Sequence, residues 1–430
     1  MLYALGVIAF AVGLLASIAL HEIGHLVPAK RFGVRVTQYM VGFGPTLFPR
    51  HRGDTEYGIK AIPLGGYIRM IGMVPPRSDG KRFRWPRRLG ELVEEFRATS
   101  RTEITATDEN RQFYRLTPGK KMIIMLGGPS MNLLIFLLIS VLLYGIVGLK
   151  APTTTVSTVS ACVVPATAQV DTCPAPGSAD YRQAPAAGVL HVGDKITAID
   201  GTRISSWDDA VTIIENSADK PISVQVQRAG KPVTLRLTPV QNTKYANADG
   251  TRTKQAGFIG ISTTEAYQPL SAGEVTSTIW HQMGLGVDAI KQFPAKIGSL
   301  FGTVFEGKPR DQAGAVGVVG LGRIGGQIAE TPKVDALDKI FTLLSLLAGV
   351  NLLLFFLNLL PLLPLDGGHV AGAIVESIRR GIARLRRREH LIFVDVAQLV
   401  PVMYVVAGFL VLFSALVMYA DIVKPISLPN

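Results

Sequence analysis

Charge is missing from the first 20 residues of this 430-residue chain, and cysteine is nearly missing from all of it. A secretory leader needs a basic stretch ahead of its apolar core. Met1-Leu2-Tyr3-Ala4 has none, which argues against a cleaved leader even though Ser17-Ile18-Ala19 offers the small residues of a cleavage site. With only Cys162 and Cys173 present, no cysteine cluster points to a thiolate metal site, and the pair suits either a disulfide or two free thiols. No segment interleaves aromatic and basic residues into a groove for nucleic acid, despite a net charge of +12. The glycines of Gly314–Gly326 follow no strand and match no phosphate-binding fingerprint. Paired repeats with interrupted helices, the mark of many transporters, are absent as well.

Long apolar runs are abundant. Hydrophobic residues make up 48% of the chain, and four stretches exceed the ~20 residues a helix needs to cross the hydrocarbon: Leu2–Leu26, Met122–Gly148, Ile340–Leu363 and Leu399–Ala420. Basic residues fall on alternate connections. From Val27 to Lys121 there are 19 Lys and Arg against 9 Asp and Glu, and from Gly372 to Leu391 there are 6 against 2. From Lys150 to Asp335 the balance is 17 against 16. By the positive-inside rule the two basic connections are cytoplasmic, and both termini and the long middle region are extracytoplasmic. The expected protein is a multi-pass α-helical protein of the cytoplasmic (inner) membrane with about four spans.

The connections have their own patterns. In 27–121, Phe32–Met40 and Tyr57–Met73 read as short strands, and the adjacent Gly65 and Gly66 suit a tight turn or a close backbone approach. Arg77–Arg101 is dense in charge with Leu89, Leu92, Val93 and Phe96 at helical spacing, a surface helix suited to anionic lipid. In 150–262, Ile222–Val226 and Val233–Leu237 alternate as half-buried strands, with a helical pattern at Asp208–Ile214 and turns at Gly193-Asp194 and Asp200-Gly201. This order resembles a PDZ domain, an α/β module that takes peptide termini by strand addition, and equally suits a domain that only blocks or spaces the membrane core. Residues 263–335 are amphipathic, then Gly-rich, a flexible or closely packed segment beside the membrane; 370–391 reads as a basic cytoplasmic loop.

The chemistry concentrates at the end of the first run. His21-Glu22-Ile23-Gly24-His25 sets two imidazoles on one helix face, able to share a zinc ion. Glu22, beside the first of them, is placed to take a proton from zinc-bound water. Ionisable residues inside a spanning segment are costly and are usually kept for function, which favours this reading over a merely polar helix end. A catalytic zinc needs a third protein ligand. Asp366, the first acidic residue after the third run (expected as 340–366), lies at the same depth as His21, while His369 competes from further toward the cytoplasm. Asp366-Gly367 also suits a plain helix-ending turn. Asn358 and Asn132, in apolar stretches near Pro129, Pro361 and Pro364, have donors and acceptors to hold unwound substrate or an oxyanion, or to join helices.

The ordered series HEIGH, Gly127-Gly128-Pro129-Ser130-Met131-Asn132, a PDZ-like insert, and Asn358-Leu359-Leu360-Pro361-Leu362-Leu363-Pro364-Leu365-Asp366-Gly367-Gly368-His369 resembles the bacterial site-2 proteases of the regulator-of-sigma-E type, over nearly the whole chain. The resemblance implies His21, His25 and Asp366 as ligands of Zn2+ and Glu22 as catalytic acid and base. It also implies cleavage of single-span membrane proteins such as anti-sigma factors, after a site-1 protease has removed their exterior part. Tyr57–Met73, with Gly65 and Gly66, resembles the membrane-associated β-region that engages substrate as a strand. One PDZ-like module and a long basic insert point to an actinobacterial-type member. The rival expectation, from another class, is an inactive membrane scaffold with a peptide-binding domain.

Overall fold

The charge-free opening run forms helix α1 (Leu2–Arg31), which passes through Pro28 and ends on Lys30 and Arg31, cations placed where the helix dipole is negative. In this computed structural model residues 1–76, 87–101, 104–165, 168, 172–179, 181–246, 252–312, 314–332, 334–386 and 393–426 are described. Residues 77–86 of the expected basic surface helix, 387–392 of the second basic connection and the terminal 427–430 lie outside the described residues.

After α1 the chain makes strands β1 (Val36–Thr46), β2 (Arg50–Arg52) and β3 (Thr55–Met70), an antiparallel sheet in the order β1-β3-β2 with Met40 opposite Tyr67 and Val41 opposite Gly66. Strand β1 starts later than expected and runs on past Met40 to Thr46, while β3 is one continuous strand where short strands were expected within Tyr57–Met73. Helix α2 (Arg87–Arg101) follows, and then α3 (Pro118–Ser140), opened by a proline whose missing N–H costs nothing in a first turn and prolonged by a π turn at Val141–Val147.

An inserted unit, Ile146–Leu270, comes next. It holds β4 (Leu149–Val159), β5 (Lys195–Ile199), β6 (Thr202–Arg203), α4 (Trp207–Asn216), β7 (Ile222–Arg228), β8 (Lys231–Leu237), β9 (Val240–Tyr245), β10 (Thr253–Phe258) and β11 (Ile261–Gln268). Five strands run β11-β4-β5-β7-β8 with β6 on β5, while β9 and β10 pair separately. Ile222, Val224 and Val226 point inward onto Ile196, Ile199 and Ile214, so the period-two pattern is the buried face of the sheet. Asp200 and Gly201 both take positive φ (48° and 79°) in the two-residue turn between β5 and β6. Ser206 and Asp209 form a capping box at the start of α4. Cys162 and Cys173 form a disulfide.

The chain then returns to the first unit through α5 (Ala272–Phe305), α6 (Val318–Glu330), α7 (Ala336–Asn358), α8 (Asp366–Leu385) and α9 (Val400–Val423). Among the described residues four helices are long and apolar enough to cross a membrane: Leu2–Arg31, Pro118–Val147, Ala336–Asn358 and Val396–Val423. Only 17 to 28% of each apolar window is buried, so most of that surface faces away from the protein and suits lipid.

Two expectations change, and one left open between two alternatives resolves. The third run was expected to continue to Leu363, and the span to Asp366, but helix α7 stops at Asn358. Pro361 and Pro364 cannot donate helical hydrogen bonds and their rings crowd the preceding turn. Asp366 therefore begins helix α8 rather than ending the third span, and the stretch read as a basic loop at 370–391 is helical as far as Leu385. The Gly-rich stretch is closely packed. A Cβ on Gly6 of α1 would stand 2.4 Å from the carbonyl oxygen of Gly325 in α6.

In the inserted unit, Arg228 clasps the buried Asp194, Nε to Oδ1 at 2.8 Å and Nη2 to Oδ2 at 2.7 Å. These bonds, joined by the His191 backbone N–H, hold the Asp194 carboxyl below its ordinary pKa in spite of burial. A depressed folded-state pKa gives stability that is present above the unfolded value of ~4 and is lost as pH falls through the folded value. Urea unfolding followed by Trp207 fluorescence, with Trp85 and Trp280 replaced by Phe, is expected to show this acid loss. Arg228→Met is expected to be less stable at pH 7, with the gap closing on acidification; a constant gap would contradict the assignment.

Candidate metal centre

The centre starts from a contact between two helices. Gly24 of α1 and Gly127 of α3 meet backbone to backbone, so that a Cβ on Gly127 would stand 2.0 Å from the Gly24 carbonyl oxygen, and one on Gly24 would stand 2.2 Å from that of Gly127. Pro28, four residues on, has no N–H to offer the Gly24 carbonyl, which turns toward α3 instead. The next residue of α3, Gly128, leaves the room the two imidazoles occupy. A Cβ there would lie 2.2 Å from His25 Nε2 and 2.7 Å from His21 Nε2.

Each imidazole is held from behind by α3. His25 Nδ1 lies 2.7 Å from the carbonyl oxygen of Ile124. A carbonyl only accepts, so Nδ1 carries the proton and Nε2 keeps a free lone pair. His21 Nδ1 lies 3.1 Å from the side-chain amide of Asn132, which is 1% exposed. Asn132 and the histidines thus meet, whereas Asn358, half-buried at the end of α7, makes no hydrogen bond to His21, Glu22, His25 or Asp366.

Asp366 arrives from the break after α7. The segment Leu359–Leu365 folds tightly under the start of α8. A Cβ on Gly367 would stand 2.3 Å from the Leu360 carbonyl oxygen, and one on Gly368 would stand 2.7 Å from the Leu363 nitrogen. The glycine pair is therefore required for a close approach that aims Asp366 at the histidines. Asp366 Oδ2 stands 3.3 Å from both His21 Nε2 and His25 Nε2. The two Nε2 atoms are themselves 3.3 Å apart.

Three equal edges of 3.3 Å have a chemical meaning. Zinc bonds nitrogen and carboxylate oxygen at ~2.0–2.1 Å, so neighbouring donors in a tetrahedral site stand ~3.3–3.4 Å apart. The three atoms match one face of such a tetrahedron and leave its fourth corner open. Asp366 Oδ2 has no hydrogen-bond partner and faces the free lone pair of His25. Two acceptors at that distance repel unless a cation lies against both. His21, His25 and Asp366 form the one group of metal-ligating side chains among the described residues; His369, a turn further along α8, is not in it.

Glu22 is 8% exposed and stands outside the group of three. Strand β3 passes beside it, so that a Cβ on Gly66 would lie 3.0 Å from both Glu22 Cγ and Ile18 Cγ2. Gly65, at φ +90°, turns the strand with its Cα against the Phe43 ring. The sheet is tied to α1 by Tyr39, whose hydroxyl donates to the Ala19 carbonyl oxygen at 2.8 Å. Burial, with Glu22 and Tyr57 nearby, pushes the Tyr39 hydroxyl up to about 12, so it stays a donor.

Two features escaped the sequence reading. Gly24 and Gly128 have roles legible only from the helix contact, although Gly127-Gly128 was visible in an otherwise apolar run. Asn351, 0% exposed in α7, donates to Ser17 Oγ of α1 at 3.0 Å and joins two spans. Its signal was a lone amide in an apolar stretch, the same signal that singled out Asn358.

Residues 9–402 match Peptidase family M50. The zinc metalloprotease Rip1 of Mycobacterium tuberculosis is 32% identical over 442 aligned residues that cover 100% of both chains. Rip1 of Mycolicibacterium smegmatis is 31% identical with the same coverage. The zinc metalloprotease RasP of Geobacillus kaustophilus is 27% identical over 93% of this chain and 96% of its own. A PDZ domain of an SdrC-like protein from Listeria monocytogenes overlies 25% of this chain and 94% of its own at 21% identity, with a TM-score of 0.15, too low to bear on the fold.

The Gly128 contact makes a direct prediction. Gly128→Ala introduces a methyl group where the His25 ring stands and is expected to weaken zinc binding ~10-fold or more, the scale of other disturbances behind a metal ligand. Metal analysis of the purified protein measures this, with Gly119→Ala, at a site with nothing within 4 Å, as the control. Equal zinc content in the two variants would show that the imidazoles are not confined as described.

Proposed function

The chain belongs to peptidase family M50 as a zinc metalloprotease of the site-2 type, and from that premise we propose that it cuts single-span membrane proteins such as anti-sigma factors at a bond within the bilayer. The observation that carries this reading is the convergence of His21 Nε2, His25 Nε2 and Asp366 Oδ2 at 3.3 Å beside a buried carboxyl, Glu22, that is not one of the three.

In this reading His21, His25 and Asp366 hold the zinc. When bound, the ion supplies Lewis acidity toward the attacking water and the scissile carbonyl. Glu22 accepts the proton of that water and returns it to the departing amide nitrogen. A buried carboxyl next in sequence to one of the residues that would hold the ion suits both halves of the exchange. Strand β3 lies beside Glu22 at Gly66, where the missing Cβ lets α1 pack against the strand, and its extended backbone is the element read here as engaging substrate. Asn358 supplies an amide for an unwound substrate in an apolar setting, whereas Asn132, buried against His21, serves the imidazole instead.

The inserted unit fits a PDZ-like receptor for peptide termini, such as those left by a prior site-1 cut. The charge distribution fits the cytoplasmic membrane, with both termini and the inserted unit extracytoplasmic and the metal centre near the cytoplasmic side. Reporter fusions are expected to read extracytoplasmic after Asn430 and cytoplasmic within 77–101. The reverse pattern would put the basic connections outside and overturn this orientation.

Glu22 separates metal binding from chemistry. Glu22→Gln keeps shape and is expected to keep stoichiometric zinc, yet to lose ~10²–10⁴-fold in cleavage rate of a single-span substrate, the usual scale for general base catalysis. His21→Ala or His25→Ala is expected to lose zinc and activity together. Cleavage by Glu22→Gln at near the wild-type rate, with matched protein amounts, would remove Glu22 from the mechanism.

A further inference from the structure

Helix α3 presents three successive features to the metal centre along one ridge, each four residues from the next: the Ile124 carbonyl, the gap at Gly128 and the Asn132 side chain. The first fixes the tautomer of His25. We propose that Asn132 does the same for His21, accepting a hydrogen bond from its Nδ1–H through the amide oxygen and so leaving the Nε2 lone pair free for zinc. The proposal rests on His21 being a zinc ligand.

The side-chain amide has two arrangements that fill the same volume, related by a half-turn about its last bond. In the first, the NH2 group donates to His21 Nδ1 across the 3.1 Å contact. Nδ1 is then an acceptor, and the imidazole proton must sit on Nε2. That proton points at His25 Nε2 and Asp366 Oδ2, each 3.3 Å away, and removes His21 from any metal. The Asn132 oxygen is meanwhile left buried without a partner. In the second arrangement the oxygen faces Nδ1 and accepts its proton. Nε2 then carries a lone pair, and three donor atoms converge on one point.

Either arrangement leaves one amide atom unspent, so the hydrogen bonds of the amide itself do not choose between them. The metal does. Three converging lone pairs are adverse in the empty site and favourable around a dication, and only the second arrangement supplies all three. In it the unspent group is the NH2. Without the ion the first arrangement is favoured, since it places the Nε2 proton of His21 between two acceptors. Asn132 is therefore a positioning residue that acts through His21.

A hydrogen bond from a ligating imidazole to an outer oxygen raises the basicity of the ligand, and its loss costs ~10–100-fold in metal affinity. Zinc affinity of the full-length protein in detergent, measured by competition with a chromophoric chelator, tests the role without any assay of cleavage. Asn132→Leu keeps the approximate volume but neither accepts nor donates, and is expected to bind zinc ~10–100-fold more weakly. Asn132→Asp accepts but cannot donate, and is expected to bind zinc at least as tightly as wild type. If both variants weaken zinc alike, donation rather than acceptance is what His21 needs, and the proposal is wrong. Wild-type affinity in Asn132→Leu overturns it as well. Should Asn132→Leu not fold, Asn132→Asp against wild type still decides between the two. His21→Ala in the same assay tests the underlying site: unchanged zinc there would remove His21 as a ligand, whereas its loss alongside an unaffected Asn132→Leu would reject only the present inference.

Discussion

At Gly24 and Gly127 two apolar helices touch with no side chain between them, and the rest of the centre follows from that contact. Lipid tails are as apolar as leucine, so helices in a bilayer gain little by hiding apolar groups from one another; close packing through small residues is what holds them. Here the packing also sets depth and rotation. It brings the Ile124 carbonyl behind His25 and the Asn132 amide behind His21, and it leaves at Gly128 the space in which both rings stand. A larger residue at any of the three glycines would part the helices and the imidazoles with them.

Asp366 comes from the opposite kind of element, a helix that is broken. Backbone that leaves the helix inside a membrane must have its polar groups satisfied by protein or water. Leu359–Leu365 does so by turning on itself, with Leu360 N–H donating to Leu357 and Leu365 N–H to Leu362, and by running under the glycine pair at the head of α8. Helix α8 is in turn anchored to α3 by the buried ion pair of Lys121 and Glu376, at 2.8 Å. Asp366 is thus placed from both ends, by the prolines that stop α7 and by a charge pair that fixes α8. The cost of burying those charges is consistent with a demand for position rather than for stability alone.

Much of this was readable in advance. Four spans are legible because ~20 apolar residues admit few other fates. The strands of the inserted unit are legible because Ile222, Val224 and Val226 alternate with polar neighbours, and period two has one structural meaning. The meeting of His21 and His25 is legible because helical spacing alone puts the two imidazoles on one face. The end of the third span is not legible, because an apolar run carries no mark of where its helix stops; α7 ends at Asn358, ahead of Pro361 and Pro364, while the run continues. In 370–391 the charge speaks for topology and hides the helical spacing that makes α8.

What the sequence determined by itself is therefore local or periodic: which segments can cross a membrane, which can form half-buried strands, and which residues carry metal-binding chemistry. Family membership follows from the same ordered motifs, and the match over residues 9–402 agrees with it. Only the tertiary structure decided that Asp366, 341 residues beyond His25 in the sequence, joins the two histidines at 3.3 Å while His369 does not. It alone showed that Gly24, Gly127 and Gly128 exist to be empty, and that Asn132 rather than Asn358 stands against an imidazole. The reason is that such roles depend on the space between helices. A sequence states which side chains are present along one chain; the distance between two backbones, and what would collide there, is a property of their packing.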